Sequence, residues 1–267
     1  MTLWCFGFLR RGEALPRARD AAEQAVELDG RLAPAHTALG MVNLADWKWA
    51  EAEKEFLYAV ALSPESPSAR HWHALYLAAM GRHGVAIEQS ERAVALDPSP
   101  SFRVGLGAIL YFAHDFARMA RVLEETVAAA PDSAPAFDWL GMAYIQLGRF
   151  DESIEAYRKA VALSDGTAEI MAGLGHAYGI AGRMNEARKV LGELDAAAEQ
   201  WYVPPVQIAY VCAGLSDDNR TFQLLEQAFE ERSWELVFLR EEPWFDHLRG
   251  NPRFTDLVDR MKFPPRG

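Results

Sequence analysis

The sequence predicts an all-α solenoid built from antiparallel helix pairs. Three observations carry it: small residues that recur about every 34 positions, prolines that recur in step with them, and a composition rich in helix formers. Gly40, Ala74, Gly107, Gly141, Gly175 and Ala209 follow one another at spacings of 34, 33, 34, 34 and 34. A second series, Ala18, Ala52, Ala86, Met119, Ser153, Ala187 and Thr221, runs 34, 34, 33, 34, 34, 34. A third, Ala25, Ala59, Ala93, Thr126, Ala160, Leu194 and Ala228, repeats those spacings. All three lose one residue in the same repeat, which unrelated coincidences would not do.

Each series has a physical reason. The small residue of a first helix and the first Ala of the second sit where the two helices cross, so their backbones can approach closely. The later Ala, two turns along, meets the first helix of the next repeat. Larger residues fill the space between: Leu39, Leu106, Leu140 and Leu174 before the small residue, and Phe56, Leu123, Tyr157 and Leu225 in the second helices. Pro64, Pro98 and Pro131, continued by Asp165, stop each second helix and restart the chain at a fixed angle. Gly81, Gly148 and Gly182 end first helices, where a left-handed residue is needed.

The ends follow from where the period fails. Residues 1–32 read as a shortened first repeat, with Pro16 opening its helix. Six full repeats occupy 33–66, 67–99, 100–133, 134–167, 168–201 and 202–235. After Ser233 the period breaks. Pro243 and Pro252 each suit the first turn of a short helix, the second capped by Asn251. Residues 236–267 are therefore expected to form a cap, with Trp244, Phe245, Leu248, Phe254, Leu257 and Met261 covering the apolar end of the stack.

These residues resemble the tetratricopeptide signature, best in Phe137-Asp-Trp-Leu-Gly-Met-Ala-Tyr144 through Ala156-Tyr-Arg-Lys-Ala160. The resemblance covers roughly residues 3–235 and implies a right-handed superhelix that binds a protein or peptide. Asp46-Trp-Lys-Trp-Ala-Glu-Ala-Glu-Lys-Glu-Phe56, Trp201–Ala209 and Pro243–Phe254 look like stretches of one bacterial subgroup. In that subgroup the repeats usually follow a winged-helix, adenylate cyclase or serine/threonine kinase domain, and no such domain stands in this sequence. The resemblance thus implies a scaffold in signalling or regulation, either freestanding or cut from its effector.

In such repeats the first helices line the concave face, where extended segments bind. Carrying the register across places Trp72 and Trp139 inward, followed by Met41, Leu75, Met142 and His176. One turn further come Tyr111, Phe112, Ile145 and Gln146, with His71 and Asp138 on the same side. This aromatic, Met-rich face suits an adaptable apolar contact, although some of these side chains also suit packing against neighbouring helices. Relatives that grip chaperone tails place Lys, Arg and Asn on this face. Here those positions hold Thr37, Met41, Trp72, Val104 and Gly105, so that clamp is not expected.

Composition narrows the partners. With 38 acidic against 27 basic residues, a net charge of -11 offers no general attraction to phosphate backbones or anionic lipid. Nucleic acid and membrane are not expected as partners, and Cys5 and Cys212, far apart, fit a reducing cytoplasm. Met1–Leu9 is apolar, but Arg10-Arg11 follows rather than precedes it and no small-residue cleavage site is present, so it reads as a core helix.

Chemistry finds little purchase, and no cofactor or metal is expected. His71 and His73 are two apart and point away from each other on a helix. Gly173-Leu-Gly-His-Ala-Tyr-Gly179 lacks dinucleotide-loop spacing, and Cys212 falls on a buried position. Glu230-Glu231 and Glu241-Glu242 read as solvated faces. Two alternatives to a scaffold stay open. One is an esterase-like hydrolase assembled from His71, His176, Asp138 and Tyr111. The other is self-assembly, a homodimer through terminal repeats that expose Trp4, Phe6 and Phe8.

Overall fold

A computed structural model describes residues 11–265; Trp4, Cys5, Phe6 and Phe8, and with them the proposed dimer face, lie outside the described residues. Helix α1 (Arg11–Leu28) precedes six helix pairs. These are α2 (Ala33–Ala45) with α3 (Trp49–Leu62), α4 (Pro67–Ala79) with α5 (His83–Leu96), and α6 (Pro100–Phe112) with α7 (Phe116–Ala129). They continue as α8 (Ala134–Gln146) with α9 (Phe150–Ser164), α10 (Ala168–Ile180) with α11 (Met184–Ala198), and α12 (Pro205–Gly214) with α13 (Asp218–Glu231). Two 3₁₀ turns, Trp234–Phe238 and Pro243–Leu248, then lead into α14 (Pro252–Arg260). No strand occurs among the described residues, and none of their helices is long and apolar enough to cross a membrane.

The crossings behave as the register requires. A methyl group on Gly40 would lie 2.7 Å from the Phe56 ring, on Gly107 3.1 Å from Leu123, and on Gly141 2.6 Å from Tyr157. In each case the partner is the mid-residue of the same pair's second helix. Gly175 differs slightly: its methyl would meet Val190 and Val211, both at 2.9 Å, so the next repeat also presses on it. From α3 onward the second and third series are buried throughout, from Ala52 to Thr221 and from Ala59 to Ala228. Where a hydroxyl replaces Ala it finds an acceptor at once, as when Ser153 Oγ donates to the Gly141 carbonyl at 2.8 Å.

The turn inside each pair also keeps step. The left-handed position is filled by Trp47, Gly81, His114, Gly148, Gly182 and Ser216, with φ between 57° and 76°. Glycine serves there without strain; Trp47, His114 and Ser216 carry a side chain in a conformation that disfavours one. Pro16 lies inside α1 rather than opening it, since the helix already runs from Arg11.

The stack curves until its ends meet. The Trp47 ring, in the turn after α2, lies 5.2 Å from Phe229 of α13. Arg232 covers the same ring at 5.0 Å and donates to the Asp46 carbonyl at 3.1 Å.

The chain after Ser233 does more than cap the last pair. It returns across the concave hollow, touching the first helices in turn. Trp234 meets Trp72 of α4 edge-on at 6.3 Å, and Phe238 stacks on Phe112 of α6 at 4.4 Å. Trp244 stacks on His176 of α10 at 4.2 Å, and Phe245 on Tyr210 of α12 at 5.3 Å. Helix α14 then covers α13, with Arg260 paired to Glu226 at 3.0 Å and Arg253 over Phe222 at 4.5 Å. The chain finishes against the second helix of the first pair: Trp49 Nε1 donates to the Met261 carbonyl at 3.1 Å, and Phe263 stacks on the Trp49 ring at 4.7 Å. The expected end cap is therefore a strap as well. The reason is area: the hollow's aromatic wall is apolar, and the aromatics of this segment bury it more fully than the last helix alone would.

Candidate binding cavity

Between the concave wall and the returning segment lies a cavity of about 470 Å³. Its wall is built from the inward faces of α4, α6 and α8, which contribute Trp72, Leu75, Val104, Ala108, Trp139 and Met142. The opposite side is formed by Trp234, Phe238 and Trp244 of the strap, with Tyr210 and Gln207 from α12. Helix geometry explains the wall: residues three and four apart on one helix share a face, so Trp72 and Leu75, or Trp139 and Met142, stand side by side.

Seven of the twelve residues expected on the groove line this cavity: His71, Trp72, Leu75, Phe112, Asp138, Trp139 and Met142. Tyr111 is fully buried behind it, its hydroxyl donating to Glu242 and its ring edge-on to Trp139 at 5.7 Å. His176 is roofed by Trp244, and its Nδ1 pairs with the Tyr210 carbonyl at 2.7 Å. Met41 and Ile145 are buried outside the lining, and Gln146 is half-buried outside it.

Three acids, Glu169, Glu235 and Glu242, are the part that sequence reasoning missed; they join the expected Asp138. Asp138, Glu169, Glu235 and Glu242 all line the cavity. Glu241 and Glu242 are 4% and 5% exposed, so this pair is not a solvated face; the strap carries it inward. Burial pushes the Glu235 and Glu242 carboxyls up to about 7. Glu242 reaches that value even though the Tyr111 and Tyr210 hydroxyls and the Trp244 amide donate to it, so loss of water outweighs three favourable bonds. Desolvation raises Asp138 well above the usual range, with the nearby Glu169 adding to it. Glu169 opens onto the cavity while protein surrounds it at longer range, and its carboxyl is raised by the same desolvation. No Lys or Arg belongs to the lining. The one basic side chain there, His71, is held down to about 4 by burial and is neutral at pH 7. It fits only because Gly105 lacks a side chain: a methyl there would sit 2.5 Å from the imidazole.

The four residues of the hydrolase reading are not joined into an acid–histidine pair. His176 bonds a backbone carbonyl, His71 Nδ1 has no partner, and Tyr111 donates to Glu242. Cys212 is buried with its thiol pushed up to about 11, and His73 is buried with its imidazole held down to about 4. Neither is poised for chemistry. Among the described residues no three His, Cys, Asp or Glu side chains converge as a metal site would require.

Comparison with known proteins identifies one repeat and the fold. A family model of the TPR repeat matches residues 141–182. None of the curated proteins matches the chain. A chain in the crystal structure of the APC/C hetero-tetramer Cut9–Hcn1 superposes with TM-score 0.65 at 17% identity, over 98% of this chain and 49% of that one. This chain thus spans about half the length of that relative. PilW, a type IV pilus biogenesis factor, superposes with TM-score 0.59 at 18% identity, over 70% of this chain and 87% of that one. TTC0263, a TPR protein of Thermus thermophilus, reaches TM-score 0.55 at 25% identity, over 61% of this chain and 89% of that one. With the register, the crossings and the match in agreement, residues 141–182 carry a TPR repeat and the chain has the fold of a tetratricopeptide solenoid, a fold that supports a protein-interaction scaffold.

Proposed function

We propose that the chain is a scaffold that receives a segment of a partner protein in its concave hollow, in bacterial signalling or regulation. One observation carries this reading. Trp72, Trp139, Met142 and Trp234 line the cavity yet remain only partly buried, so a large aromatic surface stays open to the hollow. Such clustered aromatic anchors are where binding energy concentrates. The regulatory setting rests on the resemblance of Asp46–Phe56 and Trp201–Ala209 to the repeat region of bacterial regulators.

The test is a peptide-display selection against the purified chain, followed by affinity measurements on the enriched peptides. Trp72→Ala combined with Trp139→Ala is expected to weaken binding at least about thirtyfold while circular dichroism stays helical. Undiminished binding by a folded double variant would contradict the groove assignment.

A further inference from the structure

We propose that the cavity is a site for an organic cation with an apolar body, its charged end an amine, guanidinium or quaternary ammonium group. This goes beyond the peptide reading and does not need it, because the cavity is already walled on both sides by the chain itself.

Three independent observations support it. First, four carboxyl side chains, Asp138, Glu169, Glu235 and Glu242, line one cavity with no cationic side chain among the lining. Asp138 and Glu242 are buried, where a carboxylate is costly unless its charge is balanced, and the lining supplies no positive charge to balance it. Second, four tryptophans stand among the apolar residues of the lining: Trp72 and Trp139 on the wall, Trp234 and Trp244 on the strap. Their electron-rich faces attract organic cations, most strongly where water is excluded. Third, Gln207 and Trp244, 4% and 5% exposed, line the same cavity and keep Gln207 Oε1 and Trp244 Nε1 without partners. Gln207 Oε1 is an acceptor, the complement of an ammonium or guanidinium N–H.

The arrangement selects an organic rather than an inorganic cation. The acids stand around the cavity instead of converging, and no three ligands meet as a metal requires among the described residues. A volume of about 470 Å³ is also far larger than a bare ion. The ligand's charge can face the acids while its carbon body lies against the indoles.

The surroundings set the pH dependence. Glu235 faces Glu169 and Glu231, Asp138 faces Glu169, and Glu242 faces Tyr111, Tyr210 and, further off, Arg249. His71 is neutral at pH 7 and contributes no charge. At low pH Glu235 and Glu242 hold protons and attract a cation weakly; above about 7 they ionise and attract it strongly.

The experiment is calorimetric titration of the full chain with phenethylamine, phenethyltrimethylammonium and the neutral isostere 2-phenylethanol, at pH 5.5 and pH 8. A lysine-bearing peptide and its norleucine counterpart form a second arm. Either cation, or the lysine peptide, is expected to bind at pH 8 at least about tenfold more tightly than its neutral counterpart, with that preference reduced at pH 5.5. Free amines binding where the peptide does not identifies a small-molecule site; the reverse identifies a side chain of a protein partner. Glu235→Gln with Glu242→Gln should greatly reduce the preference for charge, and Glu169→Gln, open to the cavity, should weaken it without endangering the fold. Equal affinity for cation and isostere, or no binding by any cation to the folded chain, would overturn the proposal. A display-selected peptide without basic residues that still depends on Trp72 and Trp139 would leave the scaffold reading intact while this one fell.

Discussion

The six helix pairs and the strap that follows them are held by contacts of different reach. Within the pairs, each crossing joins residues of one repeat or of adjacent repeats, as Gly141 meets Tyr157 and Gly173 meets the other side of the same ring. The strap instead ties together residues far apart in sequence: Tyr111 with Glu242, Trp72 with Trp234, Trp49 with Met261. The first kind of contact makes a stack that could be lengthened or shortened without changing its rule. The second turns that stack into a closed hollow with a defined interior. The repeats supply the wall, and the strap decides what chemistry the wall encloses, because Glu235, Glu242, Trp234 and Trp244 all arrive with it.

If the strap is as integral as the pairs, equivalent truncations in the two should cost alike. Phe56 and Phe245 are both essentially fully buried, so Phe56→Ala and Phe245→Ala are each expected to lose about 3–5 kcal/mol in urea unfolding. A Phe245→Ala cost near zero would mean the strap is merely laid over the hollow.

Crossings themselves differ in how much they can yield. A methyl on Gly179 would lie 2.5 Å from the backbone of Gly214, which cannot rotate aside, whereas on Gly107 it meets only the Leu123 methyls at 3.1 Å. Gly179→Ala is therefore expected to cost about 2–3 kcal/mol and Gly107→Ala distinctly less, again by urea unfolding. Equal costs would break the distinction between backbone and side-chain crossings.

The strap's acids predict a pH signature of their own. The Glu242 carboxyl lies near 4.5 in the unfolded chain and about 7 in the folded one, so the folded state binds the extra proton between those values. Raising pH through that window removes stability, fully so above 7, and none is lost below 4.5. Glu242→Gln removes the penalty while still accepting from Tyr111, and should gain on the order of 2 kcal/mol at pH 8 and nothing at pH 4.5. Paired thermal melts check this; a gain independent of pH would exclude the buried charge as its cause. His71 and His176, both held down to about 4, lose stability as pH falls below 6.5, so the comparison must be with wild type at the same pH.

The smallest effect belongs to the turns. Ser216→Gly places glycine at a left-handed position that Gly81, Gly148 and Gly182 already fill elsewhere, and should stabilise by about 0.5–1 kcal/mol. A loss in the same melts would show that Ser216 holds something besides its backbone angle.

How far each region was legible in the sequence follows from the reach of its contacts. The period, the crossings and the left-handed glycines are local and repeat, so every repeat tests the reading of the last. The same register brought Trp72, Trp139 and Met142 to one wall. It could not show that Trp234, Phe238 and Trp244 face them, because those contacts follow no period. One signal was present: aromatics crowd the stretch after Ser233 beyond what the end of a single helix pair can bury. Glu241-Glu242 misled because adjacent acids usually face water, and only the strap's path takes them inward. Pro16 misled because a proline more often starts a helix than lies within one.

The central claim is that strap and concave wall enclose one compartment. Nuclear Overhauser spectra of chain labelled at Phe and Tyr test it most directly, since the Phe112 and Phe238 rings stack at 4.4 Å while Phe56 and Tyr76, at 5.8 Å within the repeats, serve as the internal standard. A Phe112–Phe238 cross-peak at least as strong as that of Phe56 with Tyr76 is the predicted result. A clear Phe56–Tyr76 peak with none between Phe112 and Phe238 would contradict the closed compartment.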